Sequence, residues 1–239
     1  MSALASPRPV PELEVLVGDV AIWELWGPGD PDQLWPEERP LVADAVAARV
    51  EQFAAGRQCA RAALAAIGEA PTALGRGAQR SVRWPPSVWG AISHTDGYAV
   101  AVVGRRAHGP GPVGIDAEQV GRVEEHLYPR LFVDGERAWL DGVAPDHRAR
   151  AATELFGLKE CYYKAQFPLT GAWVGFHDVH VVGPGPGTFD RAHRRWELRP
   201  VTDLPALAAV AWPGVGWSMP RGDDGAIAVT VVTAPMAGR

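Results

Sequence analysis

Asp116 and Glu118 stand two residues apart in the segment Val113-Gly114-Ile115-Asp116-Ala117-Glu118. In a β-strand that spacing puts both carboxylates on one face, with Val113, Ile115 and Ala117 on the other. Two carboxylates this close repel each other unless one is protonated or a cation lies between them. A hard divalent ion with oxygen ligands answers that need, and magnesium in particular is held by one or two carboxylates together with substrate phosphates. As a bare pattern, the same alternation equally describes an edge strand with a solvated acidic face.

A second group lies in Glu154-Leu155-Phe156-Gly157-Leu158-Lys159-Glu160-Cys161-Tyr162-Tyr163-Lys164. On a helix Ala151, Leu155, Leu158 and Tyr162 form an apolar stripe, and Glu160 and Lys164 lie one turn apart on another face. An ordinary surface ion pair has the same spacing. Taken with Asp116 and Glu118, however, a third carboxylate beside a lysine completes a metal–phosphate site. The chain's 23 basic residues include only two lysines, Lys159 and Lys164, and both fall in this segment. Chance is one reading of that placement; since arginine is a planar fork and lysine a compact point charge, the other is that this segment needs ammonium groups in particular. Ser93-His94 before a turn at Asp96-Gly97, and the arginines at 49, 57, 61, 76 and 80, are further candidates. Taken alone, such residues are more often packed or solvated.

The elements that must position these groups follow from periodicity. Leu41 to Ile67 reads as helix, with Val46, Val50, Phe53, Cys59, Ala63 and Ile67 at helical spacings, Gly56 as a possible break and Gly68 as the stop. The segment around 91–104 reads as a hairpin turning at Asp96-Gly97, and GPGP at 109–112 as a junction. Beyond it come the strand at 113–118, a helix over about 148–166, and strands near 173–182, 195–201 and 226–233. The expectation is a lobe at 1–108 and a second at 109–239 that carries the metal and catalytic motifs. Helix followed by strands occurs twice, which suggests two related α+β lobes. The first 40 residues read as an irregular or short-stranded lead-in.

Composition narrows the class. A formal charge of −5 and a pI near 5.8 disfavour a nucleic-acid partner. Cys59 and Cys161 lack CxxC or Cys/His spacing, which argues against a disulfide framework or a structural zinc. With neither a signal-peptide pattern nor an apolar run long enough for a membrane span, a soluble cytoplasmic protein is expected. No GxxxxGK[ST] phosphate cradle occurs, which disfavours a magnesium-dependent phosphotransferase of an unrelated α/β type.

GIDAE at 114–118 and FGLKECYYK at 156–164 together resemble the two signatures of the larger, Sfp-type class of 4′-phosphopantetheinyl transferases, within it the actinobacterial and enterobactin-synthase-component branch. EQFAAGRQCARAALAAIG, WPPSVWGAISHT and YYKAQFPLTGAWVGFHDVHV extend the likeness over most of residues 41–182. Cys161, Thr95 and Val82 depart from it, at positions that concern packing more than chemistry.

The resemblance implies an α+β fold of two similar lobes, each with helices on a small antiparallel sheet, acting as a monomer with coenzyme A in the cleft between the lobes. It implies transfer of phosphopantetheine from coenzyme A to a serine of an apo acyl- or peptidyl-carrier protein, releasing adenosine 3′,5′-bisphosphate. Peptide, polyketide, siderophore or antibiotic assembly is the setting. Asp116, Glu118 and Glu160 would surround Mg2+, Glu160 would help deprotonate the serine, and Lys159 and Lys164 would contact phosphate. His94, Arg49 and Arg57 would hold the 3′-phosphate end, with Arg76 or Arg80 near the adenosine and Ser93 among the coenzyme A-binding residues. A coenzyme A-binding module without turnover is the alternative, but it predicts a missing acid or lysine, and none is missing.

Overall fold

The computed structural model describes residues 5–107, 109, 111–187, 193–201, 207, 213–222 and 225–234. Chain contacts divide it into two compact units, Met1–Val113 and Gly114–Arg239.

In the first unit β1 (Arg8–Pro9), α1 (Pro11–Val17), β2 (Val20–Trp26), α2 (Ala47–Ala66), β3 (Val88–Thr95) and β4 (Tyr98–Arg105) follow in order, and the antiparallel sheet runs β1-β2-β4-β3. β4 is an unbroken buried run of alanine and valine from Ala99 to Val103, as its central place in the sheet requires. The hairpin pairs Thr95 with Tyr98, and Gly97, at φ 71°, supplies the left-handed step of the turn. Helix α2 starts six residues later than its periodicity predicts, because Arg39–Val42 forms a separate 3-10 turn. Gly56 does not break it. A Cβ there would stand 2.8 Å from Ile92 Cγ2, so the glycine lets β3 approach the helix. Gly68, at φ 75°, ends it.

The second unit holds β5 (Val113–Gln119), α3 (Tyr128–Leu131), α4 (Asp134–Asp141), α5 (Pro145–Thr170), β6 (Val179–Val182), β7 (Arg194–Pro200), β8 (Gly214–Arg221) and β9 (Ile227–Thr233). Sheet order is β5-β9-β8-β7-β6, with antiparallel pairing from β6 through β9. Helix α5 opens on Pro145 and closes on Gly171 in the left-handed conformation, whose N–H returns to Phe167 O at 2.9 Å. Leu155, Leu158 and Tyr162 of its apolar stripe pack with Trp196, Leu198 and Val232 of the sheet. The strand expected at 173–182 is shorter, since Phe176–Asp178 forms a 3-10 turn ahead of β6. Each unit thus sets one long helix on an antiparallel sheet. Among the described residues, no helix is long and apolar enough to cross a membrane.

Candidate functional site

Gly114 decides how the acidic strand meets the helix. A Cβ at that position would fall far inside 3.0 Å of the Cys161 carbonyl oxygen, so only glycine lets β5 lie directly on the α5 backbone. Gly157 does the same on the helix side, where a Cβ would meet Thr230 Oγ1 of β9 at 2.6 Å. This close crossing brings Asp116 against Lys164, whose Nζ donates to Asp116 Oδ1 at 2.7 Å and to Ile115 O at 3.0 Å. The i,i+4 spacing offered Lys164 a partner in Glu160. Among the described residues its ion pair is instead with the strand.

The electrostatics around that pair are those of crowded anions. Asp116 is 4% exposed. Burial first, and then Asp116 and Glu160, push the Glu118 carboxyl up to about 7, against the opposing pull of Arg122 and Lys164. Burial also raises Glu160, with Asp116 adding to the rise and Lys164 opposing it. For Lys164 burial disfavours the charge, but Asp116 and its neighbours outweigh that and its pKa ends above the ordinary value. Among the described residues no group of three or more acid, histidine or cysteine side chains is closed into a metal cage, so Asp116, Glu118 and Glu160 are not a preformed three-carboxylate set. The donor chemistry nevertheless suits magnesium. Three hard-oxygen donors resist sharing one region, and magnesium needs only one or two carboxylates beside phosphate oxygens.

Lys159 does not join this group, and its expected role at phosphate is corrected. Its side chain is fully buried and its ammonium has three acceptors: Glu136 Oε2 at 2.8 Å, Phe176 O at 2.6 Å and Val179 O at 2.9 Å. Glu136 is saturated in turn by the Val133 and Val181 backbone N–H groups at 2.9 and 2.7 Å. Lys159 is a strut tying α5 to α4 and to the entry of β6. Three converging acceptors suit a compact ammonium better than a planar fork, which accounts for a lysine in an arginine-rich chain.

In the first unit the expected basic residues do converge. Arg49, Arg57, Arg76, Arg80 and His94 line one cavity of about 310 Å³, floored by Phe53, Gly56 and Ile92. Arg49 Nη1 donates to His94 Nε2 at 2.6 Å. Burial lowers the Arg49 pKa, and Arg76 and Arg80 lower it further. Arg57 is brought down to about 10 by burial, with Glu38 opposing and Arg61, Arg76 and Arg49 adding. Cations that disfavour one another's charge in this way form a receptor for an anion, whose arrival relieves the repulsion. Arg76 and Arg80 both line the cavity. Gln79 and Arg80 hold left-handed backbone, at φ 49° and 61°, a conformation rare for residues with a side chain. Ser93 is buried between two residues that face the cavity; by strand alternation it points away and does not line it. Arg61 leaves as well, pairing with Glu38 at 2.9 Å.

Sequence reasoning missed Glu38. It is fully buried and accepts from Arg61, from Leu74 N at 3.0 Å and from Trp35 N at 3.1 Å, which pins the loops before and after α2. It lies in a Pro/Trp-rich stretch with no period, so no sequence signal marked it.

Residues 37–104 match the family model for the 4′-phosphopantetheinyl transferase N-terminal domain, and residues 112–207 match the model for the 4′-phosphopantetheinyl transferase superfamily. Among characterised relatives, the chain is 38% identical over 190 residues to 4′-phosphopantetheinyl transferase PptT of Mycobacterium tuberculosis, covering 78% of each chain. It is 40% identical over 168 residues to Svp of Streptomyces mobaraensis, covering 68% of this chain and 67% of that one. The match to Npt of Nocardia iowensis is 38% over 146 residues, 61% of this chain, and spans 64% of that relative, just under two thirds.

Proposed function

The chain belongs to the 4′-phosphopantetheinyl transferase superfamily, and from that premise we propose that it transfers the phosphopantetheine arm of coenzyme A to a serine of an apo acyl- or peptidyl-carrier protein. The observation that carries this reading is the Lys164–Asp116 pair beside Glu160, a carboxylate whose pKa is raised by burial. A raised carboxylate pKa makes a stronger proton acceptor, which a serine nucleophile needs.

The serine oxygen attacks the phosphorus that bears the pantetheine arm. The serine–phosphorus bond forms as the pyrophosphate P–O bond breaks, and the electron pair leaves with adenosine 3′,5′-bisphosphate. Glu160 takes the serine proton. Lys164 stays protonated and offsets charge developing at the phosphates, the main requirement of phosphoryl transfer. A magnesium ion held by oxygens of Asp116, Glu118 and Glu160 would supply further neutralisation at the pyrophosphate. The arginine cavity, with His94, receives a phosphate group of coenzyme A, and we assign it the 3′-phosphate. On this reading the enzyme works as a cytoplasmic monomer whose partners are carrier domains of peptide, polyketide or fatty-acid assembly.

Mass spectrometry of an apo carrier protein incubated with the enzyme, coenzyme A and magnesium tests the proposal. A mass gain of one phosphopantetheine on the carrier serine is expected; coenzyme A binding without that gain overturns it.

A further inference from the structure

Three of the arginines that line the anion cavity are tied to one buried carboxylate that does not line it. Glu38 is fully buried, and its two oxygens serve the loops on either side of α2. Oε1 accepts from Leu74 N at 3.0 Å, Oε2 accepts from Trp35 N at 3.1 Å, and both accept from Arg61 Nη1. Leu74 is held from its other side as well, because its carbonyl accepts from Arg57 Nε at 3.2 Å. Arg57 Nε also stands 3.9 Å from Glu38 Oε1. With Nε spent on Leu74, the Nη groups are the part of Arg57 that can meet a ligand in the cavity it lines. Burial, Arg61, Arg76 and Arg49 all disfavour the Arg57 charge, and Glu38 favours it.

From Leu74 the chain runs directly into the segment that carries Arg76 and Arg80. Residues 75–83 fold back on themselves: Arg83 N donates to Gly75 O at 3.0 Å, Gly77 N to Ser81 O at 2.8 Å and Ser81 N to Ala78 O at 2.9 Å. The two residues at the tip, Gln79 and Arg80, both hold left-handed backbone. Sterics favour Asn-Gly in a two-residue turn of that kind, so Gln-Arg gives the tip no local preference for its shape. The position of the segment is therefore set at its base. There Leu74 N is fixed by Glu38, and Arg76 Nη2 donates at 3.1 Å to the carbonyl oxygen of Leu41, in the turn that follows Glu38.

We propose that Glu38 is the positioning residue of the anion receptor, setting where Arg57, Arg76 and Arg80 stand and with them the preference for coenzyme A over its 3′-dephospho form. It acts through those arginines and touches no ligand itself. The inference rests on the assignment of the 3′-phosphate to this cavity. Glutamine cannot replace the carboxylate. Both oxygens accept a backbone N–H, so either orientation of an amide sets its NH2 against a donor, and the charge beside Arg57 is lost.

Calorimetric titration of coenzyme A and 3′-dephospho-coenzyme A into the full-length protein, without carrier or turnover, tests it. The comparison is between Glu38→Gln and Arg61→Met. Both break the same buried ion pair and should lower the urea midpoint. Arg61 does not line the cavity, so Arg61→Met should keep the wild-type preference. Glu38→Gln should lower it about tenfold, the scale of one charge-assisted hydrogen bond, almost wholly through weaker binding of coenzyme A. In turnover the loss should fall on KM for coenzyme A rather than on kcat. If Glu38→Gln does not fold, Glu38→Gln combined with Arg61→Met removes the pair whole and should show the same loss. A folded Glu38 variant that keeps the full wild-type preference overturns the inference alone, as does an equal loss in Arg61→Met. A wild-type protein that shows no preference overturns the phosphate assignment and the inference with it.

Discussion

Gly114 and Cys161 are in backbone contact across the β5–α5 crossing, so closely that no side chain fits between them. That contact sets the distance from which Lys164 reaches Asp116. Gly114→Ala should therefore act twice. Overpacking a tight crossing costs about 1–3 kcal/mol, read as a lower urea midpoint at unchanged slope. Lifting β5 off α5 should also reduce turnover beyond what partial unfolding explains, measured where the variant is fully folded. Unchanged stability and turnover would mean that the helix carbonyl yields easily and that the glycine has no positioning role.

Glu118 gives a stability signature with a definite sign. Its carboxyl rises from the ordinary 4.5 to about 7 on folding, so between those values the folded protein holds more protons than the unfolded chain. This group's contribution is therefore favourable at low pH and is lost as pH rises through 7. Glu118→Gln should stabilise the metal-free protein at pH 8 and do so much less at pH 5. The rise, at about 1.4 kcal/mol per pH unit and discounted for solvent reaching the side chain, gives about 2 kcal/mol at pH 8. Added magnesium should narrow the gap by compensating the wild-type charge. Thermal unfolding at both pH values, with and without magnesium, checks it; a larger gain at pH 5 has the wrong sign.

Lys159 is tested by a pair of changes. Lys159→Ala leaves Glu136 charged, buried and short of its partner, a loss on the order of 3–5 kcal/mol. Replacing both residues, as Lys159→Met with Glu136→Leu, should recover only part of that loss: the unpaired charge is gone, but the Val133 and Val181 N–H groups and the Phe176 and Val179 carbonyls lose their partners. Denaturant unfolding of the two single variants and the double variant measures the coupling. Loss of coenzyme A affinity with full stability in Lys159→Ala would return the residue to phosphate binding.

Legibility followed period and composition. Alternation put Asp116 and Glu118 on one strand face, and helical spacing put Glu160 and Lys164 near each other; both survive folding because a strand and a helix impose them locally. The hairpin at Asp96-Gly97 was equally plain from its turn residues. Contacts that depend on two distant segments were not visible. Lys159 and Lys164 look alike in sequence, yet one is a buried strut and the other meets the acidic strand, a difference set by Glu136 and by Gly114. Strand β8, rich in glycine with a proline and an arginine at its end, has no clean alternation, and pairing on both sides makes it a strand.

Glu160 and Asp116 separate base from electrostatic partner. Glu160→Gln keeps shape but loses the proton acceptor, and turnover should fall by roughly the 10²–10⁴-fold of lost general-base catalysis. Coenzyme A should still bind, and excess magnesium should not restore the rate. Asp116→Ala should raise the magnesium requirement, with partial recovery at excess metal. Near wild-type turnover of Glu160→Gln in excess magnesium would leave that residue as a metal ligand only.

The arginine cavity should read the 3′-phosphate, and the comparison that shows it is between coenzyme A and 3′-dephospho-coenzyme A. Arg57 is buried against Phe53, its guanidinium carbon 4.1 Å above the ring, and donates Nε to Leu74 O at 3.2 Å. Arg57→Ala therefore removes packing as well as charge and lowers stability too. Arg80 is the cleaner probe, because it reaches the cavity from a left-handed turn at the surface. Arg80→Gln should weaken coenzyme A by about tenfold, the scale of one charge-assisted hydrogen bond, and leave the dephospho analogue almost unchanged. His94→Ala should act the same way, since it removes a group that lines the cavity and the 2.6 Å contact that positions Arg49 there. Calorimetric titration of both ligands against the wild-type protein and both variants gives the six affinities. Equal losses for the two ligands would mean that the cavity holds some other part of the molecule, and the assignment of the 3′-phosphate to it would fail.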